Sequence, residues 1–141
     1  MPVDTDVIAY LAAQGSLSLT AGTNLFEGPL GEDLSTDPEV AITNTNSEPS
    51  DEYVMGPSLT APGFEIEAFQ VMVRSGTKGT AHSKALAIHA LLDNLGPVTN
   101  FASTGRTYFH IESEGPPHNL FQDKNGKWRY AAEYHVRKAR G

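Results

Sequence analysis

Residues 64–95 read FEIEAFQVMVRSGTKGTAHSKALAIHALLDNL and hold the two elements on which the rest of the chain depends. Phe64 to Arg74 is rich in aromatic and β-branched residues and bounded by glycine, the composition of a strand. Its apolar residues change parity. Phe64, Ile66 and Ala68 share one face, whereas Phe69, Val71 and Val73 share the other, because side chains alternate strictly along a strand. Either both faces are covered, or a bulge near Glu67-Ala68 re-phases the strand. The bulge is the expectation adopted, since it turns Glu65 and Glu67 toward water together. At about 3.3 Å per residue this strand spans about 36 Å, long for a globular domain. After Gly76-Thr77-Lys78-Gly79, Ala81, Ala85, Ile88, Leu92 and Leu95 recur at a 4-3-4-3 spacing, one apolar helix face. Thr80 is the expected cap, and Gly96-Pro97 ends the helix.

Upstream, residues 2–14 predict a short amphipathic helix. Asp4 or Thr5 caps it, Val7, Ile8 and Leu11 form its apolar face, and Gly15 stops it. Asn24 to Glu27 predicts a short strand, and Glu39 to Thr43 another with Val40 and Ile42 on one side. Residues 44–63 form a long irregular loop. Such a segment is either a plain loop or an arm that orders against a neighbour, and Tyr53, Val54, Met55 and Leu59 are apolar residues a solvated loop does not need.

Downstream, Thr107 to Ser113 predicts a strand with Phe109 and Ile111 inward. Leu120-Phe121 is a brief strand, and Asn125-Gly126 is a hairpin turn. Trp128 to Arg137 alternates, with Trp128, Tyr130, Ala132, Tyr134 and Val136 inward and Arg129, Glu133, His135 and Arg137 outward. Strands interrupted by two helices without βαβ regularity give an α+β fold: an antiparallel or mixed sheet of about four to five strands, with both helices on one face. The 141 residues fit one domain, 1–141.

Charge is distributed unevenly. Residues 1–73 hold 12 Asp and Glu and no Lys or Arg; residues 74–141 hold 5 acids and 10 bases, so the halves carry −12 and +5 of the net −7. Two readings fit: a monomer with unlike faces, or a self-associating chain whose acidic surface meets a neighbour's basic one. No apolar run approaches the roughly 20 residues that span a bilayer, and the N-terminus shows no secretory pattern. The absence of cysteine excludes a disulfide framework, a thiolate zinc site and a cysteine nucleophile.

Catalytic signatures are lacking. His82 and His89 stand seven apart, whereas helical metal pairs need a spacing of three or four, and no His-Glu-x-x-His occurs. These two are expected at the helix's polar edge, with His110 and His135 facing solvent. Glu65 and Glu67 read as a solvated stripe rather than an acid–base pair. Ser75 to Thr80 lacks the order of a phosphate loop and reads as a strand-to-helix connection. The net charge and base-free half disfavour ordinary nucleic-acid binding. No cofactor is expected.

Pro62 to Arg74, the alanine-rich helix, the closing Leu120–Val136 region and the N-terminal helix followed by Gly22-Thr23-Asn24-Leu25-Phe26-Glu27-Gly28 together resemble the tail-terminator family of long-tailed bacteriophages. Its members are also described as minor capsid or tail-completion proteins. The resemblance implies a non-enzymatic virion subunit that assembles in the host cytoplasm as a ring, typically a hexamer, at the head-proximal end of the tail tube. There the ring stops tube polymerisation and presents a surface to neck or head-completion proteins, while DNA passes through its lumen without specific binding. In that setting Glu27, Glu39, Glu65 and Glu67 are candidate lumen-facing acids. Arg74, Arg129, Arg137 and Lys138 are candidate subunit-interface bases, and Tyr53, Val54, Met55 and Leu59 candidate partner contacts. The alternatives are another neck or head-completion component, or a monomeric binding module or enzyme of unknown substrate.

Overall fold

A computed structural model describes residues 3–28, 38–45, 64–97, 107–123 and 126–139, with backbone alone at 64–66 and 138–139. In chain order these form α1 (Val3–Ala12), a 3-10 turn (Gly15–Leu17), β1 (Leu25–Glu27), β2 (Glu39–Asn44), β3 (Phe64–Ser75), α2 (Lys78–Leu92), β4 (Tyr108–Ser113), β5 (His118–Gln122) and β6 (Trp128–Ala139). The six strands make one mixed sheet in the order β1-β2-β3-β6-β4, with β5 also on β6. Only the β1–β2 pair is parallel. β4 lies against residues 134–138 of β6 and β5 against residues 128–131, so the two share one edge of β6. β3 and β4 are both antiparallel to β6 and therefore parallel to each other. With α2 between them in sequence, they form a crossover split by the last strand.

One face of this sheet carries the core. Val40 and Ile42 of β2, Phe69, Val71 and Val73 of β3, and Tyr130, Ala132, Tyr134 and Val136 of β6 pack in one cluster with Val3, Val7 and Leu11 of α1 and Ala81, Ala85, Ile88 and Leu92 of α2. Both helices thus seal the same face, and each fully buried Leu or Ile contributes about 1.5–3 kcal/mol through its removal from water. Phe69 stacks on Tyr134, with centroids 5.2 Å apart. Core tyrosines need partners for their hydroxyls: Tyr108 donates to Asp6 Oδ2 at 2.5 Å, and the Tyr134 hydroxyl meets His89 Nδ1 at 3.0 Å. Burial, aided by the nearby Asp93 charge, pushes the Tyr134 phenol well above its usual range.

The strand at 64–75 corrects the bulge expectation. All twelve residues from Phe64 to Ser75 pair with β6 in unbroken register. Residues on both faces of its middle are protected from water, so the parity change needs no re-phasing. Glu67 consequently shares the helix side with Phe69; it is 8% exposed and accepts a 3.4 Å hydrogen bond from Asn44 Nδ2. A bulge does occur in β4, where the register shifts between Tyr108 and His110. It buries Tyr108 and leaves Phe109, expected inward, 44% exposed. α2 begins at Lys78 after Thr77, two residues ahead of the expected cap Thr80. α1 ends at Ala12, and Gly15 opens the 3-10 turn instead of stopping the helix directly. Of the 44–63 loop, Asn44 belongs to β2 and residues 46–63 lie outside the described residues.

The junction between α2 and β4 is tight. Leu95 leaves the helix to exchange backbone hydrogen bonds with Ile111, at 3.0 and 2.7 Å. Asp93 Oδ1 accepts the Ser113 N–H at 3.1 Å. That hydrogen bond holds the Asp93 carboxyl below its usual range, assisted by His89 and His110. At Gly96 φ is +131°, and a Cβ would stand 2.5 Å from the Phe109 carbonyl oxygen. Only glycine fits there.

Candidate functional site

The face away from the helices is built from the alternate positions of the same strands. Glu39, Arg74 and Arg129 are cross-strand neighbours on it. Arg74 Nη2 donates to Glu39 Oε2 at 2.6 Å, with both side chains fully buried. Asp123, at the end of the β5–β6 hairpin, lies 3.8 Å from Arg74 Nη1 and accepts from Arg129 Nε at 3.1 Å. Lys127 Nζ stands 3.7 Å from Glu39 Oε1, and the Lys127 N–H donates to Asp123 Oδ1. The first basic residue of the chain is therefore spent on an acid of the base-free half.

This network corrects several expectations. Glu39 is wholly enclosed and neutralised, so it cannot line a lumen, and Arg74 is enclosed with it, so it cannot reach a neighbouring subunit. Arg129 is half-buried and committed to Asp123. Glu67 is buried on the helix side. Glu27 is exposed at the end of β1. Its carboxyl is pushed above the usual range, chiefly by the charge of Asp4 and by their shared hydrogen bond. Arg137 is exposed on β6, opposite His110. The side chains of Glu65 and Lys138 lie outside the described set, although their backbones pair across β3 and β6. Tyr53, Val54, Met55 and Leu59 also lie outside the described residues.

Two of the shallow depressions among the described residues bear on these positions. One, of about 230 Å³, is lined by His110, Glu112, His135 and Arg137. There His135 Nε2 is 3.2 Å from Glu114 Oε2, and His110 Nε2 is 2.8 Å from Asn94 Oδ1. The other, of about 350 Å³, lies between the 3-10 turn and α2, where Lys84 Nζ donates to the Leu17 carbonyl at 2.6 Å. In the Ser75–Thr80 connection the cation is Lys78, whose Nζ lies 5.3 Å from the centroid of the Trp128 ring. His82 stacks on Tyr130 at 4.8 Å. Among the described residues no group of three or more His, Cys, Asp or Glu is placed to hold a metal ion.

The sequence reading passed over the exposure of Leu120 and Phe121, 41% and 70% exposed. Phe121 has φ +65°, a left-handed conformation rare for an aromatic residue. The Asn119 side chain holds it by accepting the Phe121 N–H at 2.7 Å, within a register shift between Asn119 and Gln122. The only signal was two successive apolar residues beside a hairpin turn.

A family model described as bacteriophage tail terminator protein matches residues 10–140. The chain belongs to the bacteriophage tail terminator family. Its role is that of a structural part of a phage tail. A solved chain described as "Virion of native gene transfer agent (GTA) particle" shares the fold of this tail terminator family member, with a TM-score of 0.60 and 14% identity over 98% of this chain and 96% of that one. No curated protein matches. The family match begins in α1 and takes in every strand, so the tail terminator assignment covers the sheet, α2 and the β5–β6 hairpin alike.

Proposed function

We propose that the whole chain, 1–141, is one domain that assembles into a homo-oligomeric ring, a hexamer, on the head-proximal end of the phage tail tube. The ring ends tube polymerisation and offers its outer surface to a neck or head-completion protein. Subunits assemble in the host cytoplasm and remain in the virion. The observation that carries this reading is the family match over residues 10–140. A framework in which helices seal one face of a long-stranded sheet, while no strand among the described residues covers the outer side of β5, supports it, since such a subunit keeps an edge for neighbours.

DNA crossing a ring passes most easily when the wall repels phosphate. Of the four acids first considered for that wall, burial removes Glu39 and Glu67. Glu27 and Glu65 remain, with the Tyr53–Leu59 segment as the arm that contacts the tube or neck. The test is to mix purified chain with assembling tail tubes and score lengths and ends by electron microscopy. Capped tubes of arrested length are expected; tubes that elongate unchecked in excess chain refute the reading. For the wall, a Glu27→Gln/Glu65→Gln variant is expected to slow DNA passage, and unchanged infectivity refutes that assignment.

A further inference from the structure

β5 is joined to the sheet differently from its neighbours. β4 sends Tyr108 and Ile111 into the core, whereas no side chain of β5 is buried and none belongs to the core cluster. Its pairing with β6 runs through His118 and Asn119, breaks at the register shift, and resumes at Gln122 opposite Trp128. Within the break, Phe121 is held left-handed and gives its N–H to the Asn119 side chain at 2.7 Å, a bond made inside β5 and not to β6. Such a strand gains little from burial, so its attachment rests on its two ends. At the near end Pro117 is buried. At the far end Asp123 accepts from Arg129 Nε at 3.1 Å and from the Lys127 N–H at 3.0 Å, and lies 3.8 Å from Arg74 Nη1. This ionic end can let go without stranding a buried charge. Arg74 keeps its 2.6 Å bond to Glu39, Lys127 Nζ stays 3.7 Å from Glu39 Oε1, and the Arg129 side chain already reaches water. An ion left buried and unpaired is what makes such a network hard to open, and none is left here.

We propose that β5 is a latch strand: His118 to Asp123 swings off β6 as one unit from Pro117 onward, with Asp123 as its catch, while β1, β2, β3, β4 and β6 stay paired. Opening relieves the left-handed strain at Phe121 and uncovers the β6 edge at Trp128–Ala131. The movement belongs to one subunit and holds whether or not the chain forms a ring.

Hydrogen exchange of the whole chain, followed by mass spectrometry, tests the latch. Relative to free-peptide rates, the segment 118–123 is expected to exchange about a hundredfold faster than 67–75, the strand paired on both sides. Low urea is expected to leave the 118–123 rate unchanged, because a local opening exposes little surface, and to speed 67–75, which opens with global unfolding. Asp123→Asn weakens the catch and is expected to speed exchange of 118–123 about tenfold. The chain has no cysteine, so His118→Cys/Ala131→Cys places one disulfide across a facing pair of β5 and β6. Its oxidised form is expected to slow 118–123 to the rate of 67–75, and reduction to restore the fast exchange. The urea dependence in the parent chain decides the matter where the cross-linked variant fails to fold. Protection of 118–123 equal to that of 67–75, a complete lack of protection there, a 118–123 rate that follows urea as 67–75 does, or a rate indifferent to Asp123→Asn or to the closed disulfide overturns the proposal.

Discussion

Replacing Arg74 with Met tests whether this residue holds the subunit together internally or waits for a neighbour. Its guanidinium and the Glu39 carboxylate are both fully buried and 2.6 Å apart. Met fills much of the aliphatic volume but leaves Glu39 enclosed, with Lys127 at 3.7 Å as its remaining cation. Removing one partner of a buried pair costs about 3–5 kcal/mol, because the other charge stays desolvated. Against a total stability of about 5–15 kcal/mol this is a large fraction. With a urea slope of about 2 kcal/mol/M, the unfolding midpoint falls by about 2 M. A Glu39→Leu/Arg74→Met double variant removes both charges and is expected to recover most of the loss, since a buried pair contributes little beyond a hydrophobic replacement. Urea titrations followed by circular dichroism at several protein concentrations give these values. A midpoint for Arg74→Met within about 0.3 M of the parent, or a double variant that loses the sum of the two single losses, refutes the reasoning. A loss that appears only at concentrations where copies associate would restore Arg74 to an interface.

Three further outcomes are expected. Gly96→Ala forces a side chain into a conformation at φ +131° and sets its Cβ 2.5 Å from the Phe109 oxygen; it costs about 3 kcal/mol, and a thermal midpoint equal to the parent's refutes the close approach. Phe121→Asn keeps the exposed position but suits the left-handed conformation, so it stabilises the subunit by about 1 kcal/mol; a lowered thermal midpoint refutes the strain argument. Glu27 has a raised folded-state pKa, so the native chain holds its proton more tightly than the unfolded chain and loses stability as pH rises through that window. Glu27→Gln is therefore expected to stabilise at neutral pH, with the advantage vanishing below the ordinary carboxylate range of about 4; an advantage of equal size at every pH refutes the Asp4 repulsion.

The positions of the strands and helices were legible because apolar periodicity is set by the one face that α1 and α2 seal. Tyr130, Ala132, Tyr134 and Val136 alternate cleanly for that reason, and Ala81, Ala85, Ile88 and Leu92 repeat at helical spacing against them. What periodicity cannot carry is the second face. Ala41 and Ala131 are buried there without belonging to the helix-side cluster, beside an ion pair between residues thirty-five apart in the chain. The parity change in β3 was a true record of two-sided protection, and the bulge was an unneeded repair. In β4 the opposite happened: the pattern Phe109/Ile111 looked regular, while a one-residue shift lies beside Tyr108, whose hydroxyl bonds to Asp6 in α1, a contact across the chain that no local window contains.

The charge split between the halves is the feature most altered by the fold. Read along the chain, a base-free segment of −12 suggests a large acidic surface. In the folded subunit, Asp4, Asp6, Glu39 and Glu67 are all buried, and Glu27 is the exposed acid among the described side chains of that segment. Asp6 accepts from Tyr108, Glu67 from Asn44, and Glu39 from Arg74. Each acid is held by a group later in the chain or in a neighbouring strand, so much of the split is a device for bringing distant segments together. A charge imbalance read from sequence thus overstates the surface left for assembly by the number of acids the fold consumes. Among the described side chains of that segment, the carboxylate that reaches the surface is Glu27 at the end of β1, next to the buried Asp4 that raises its pKa.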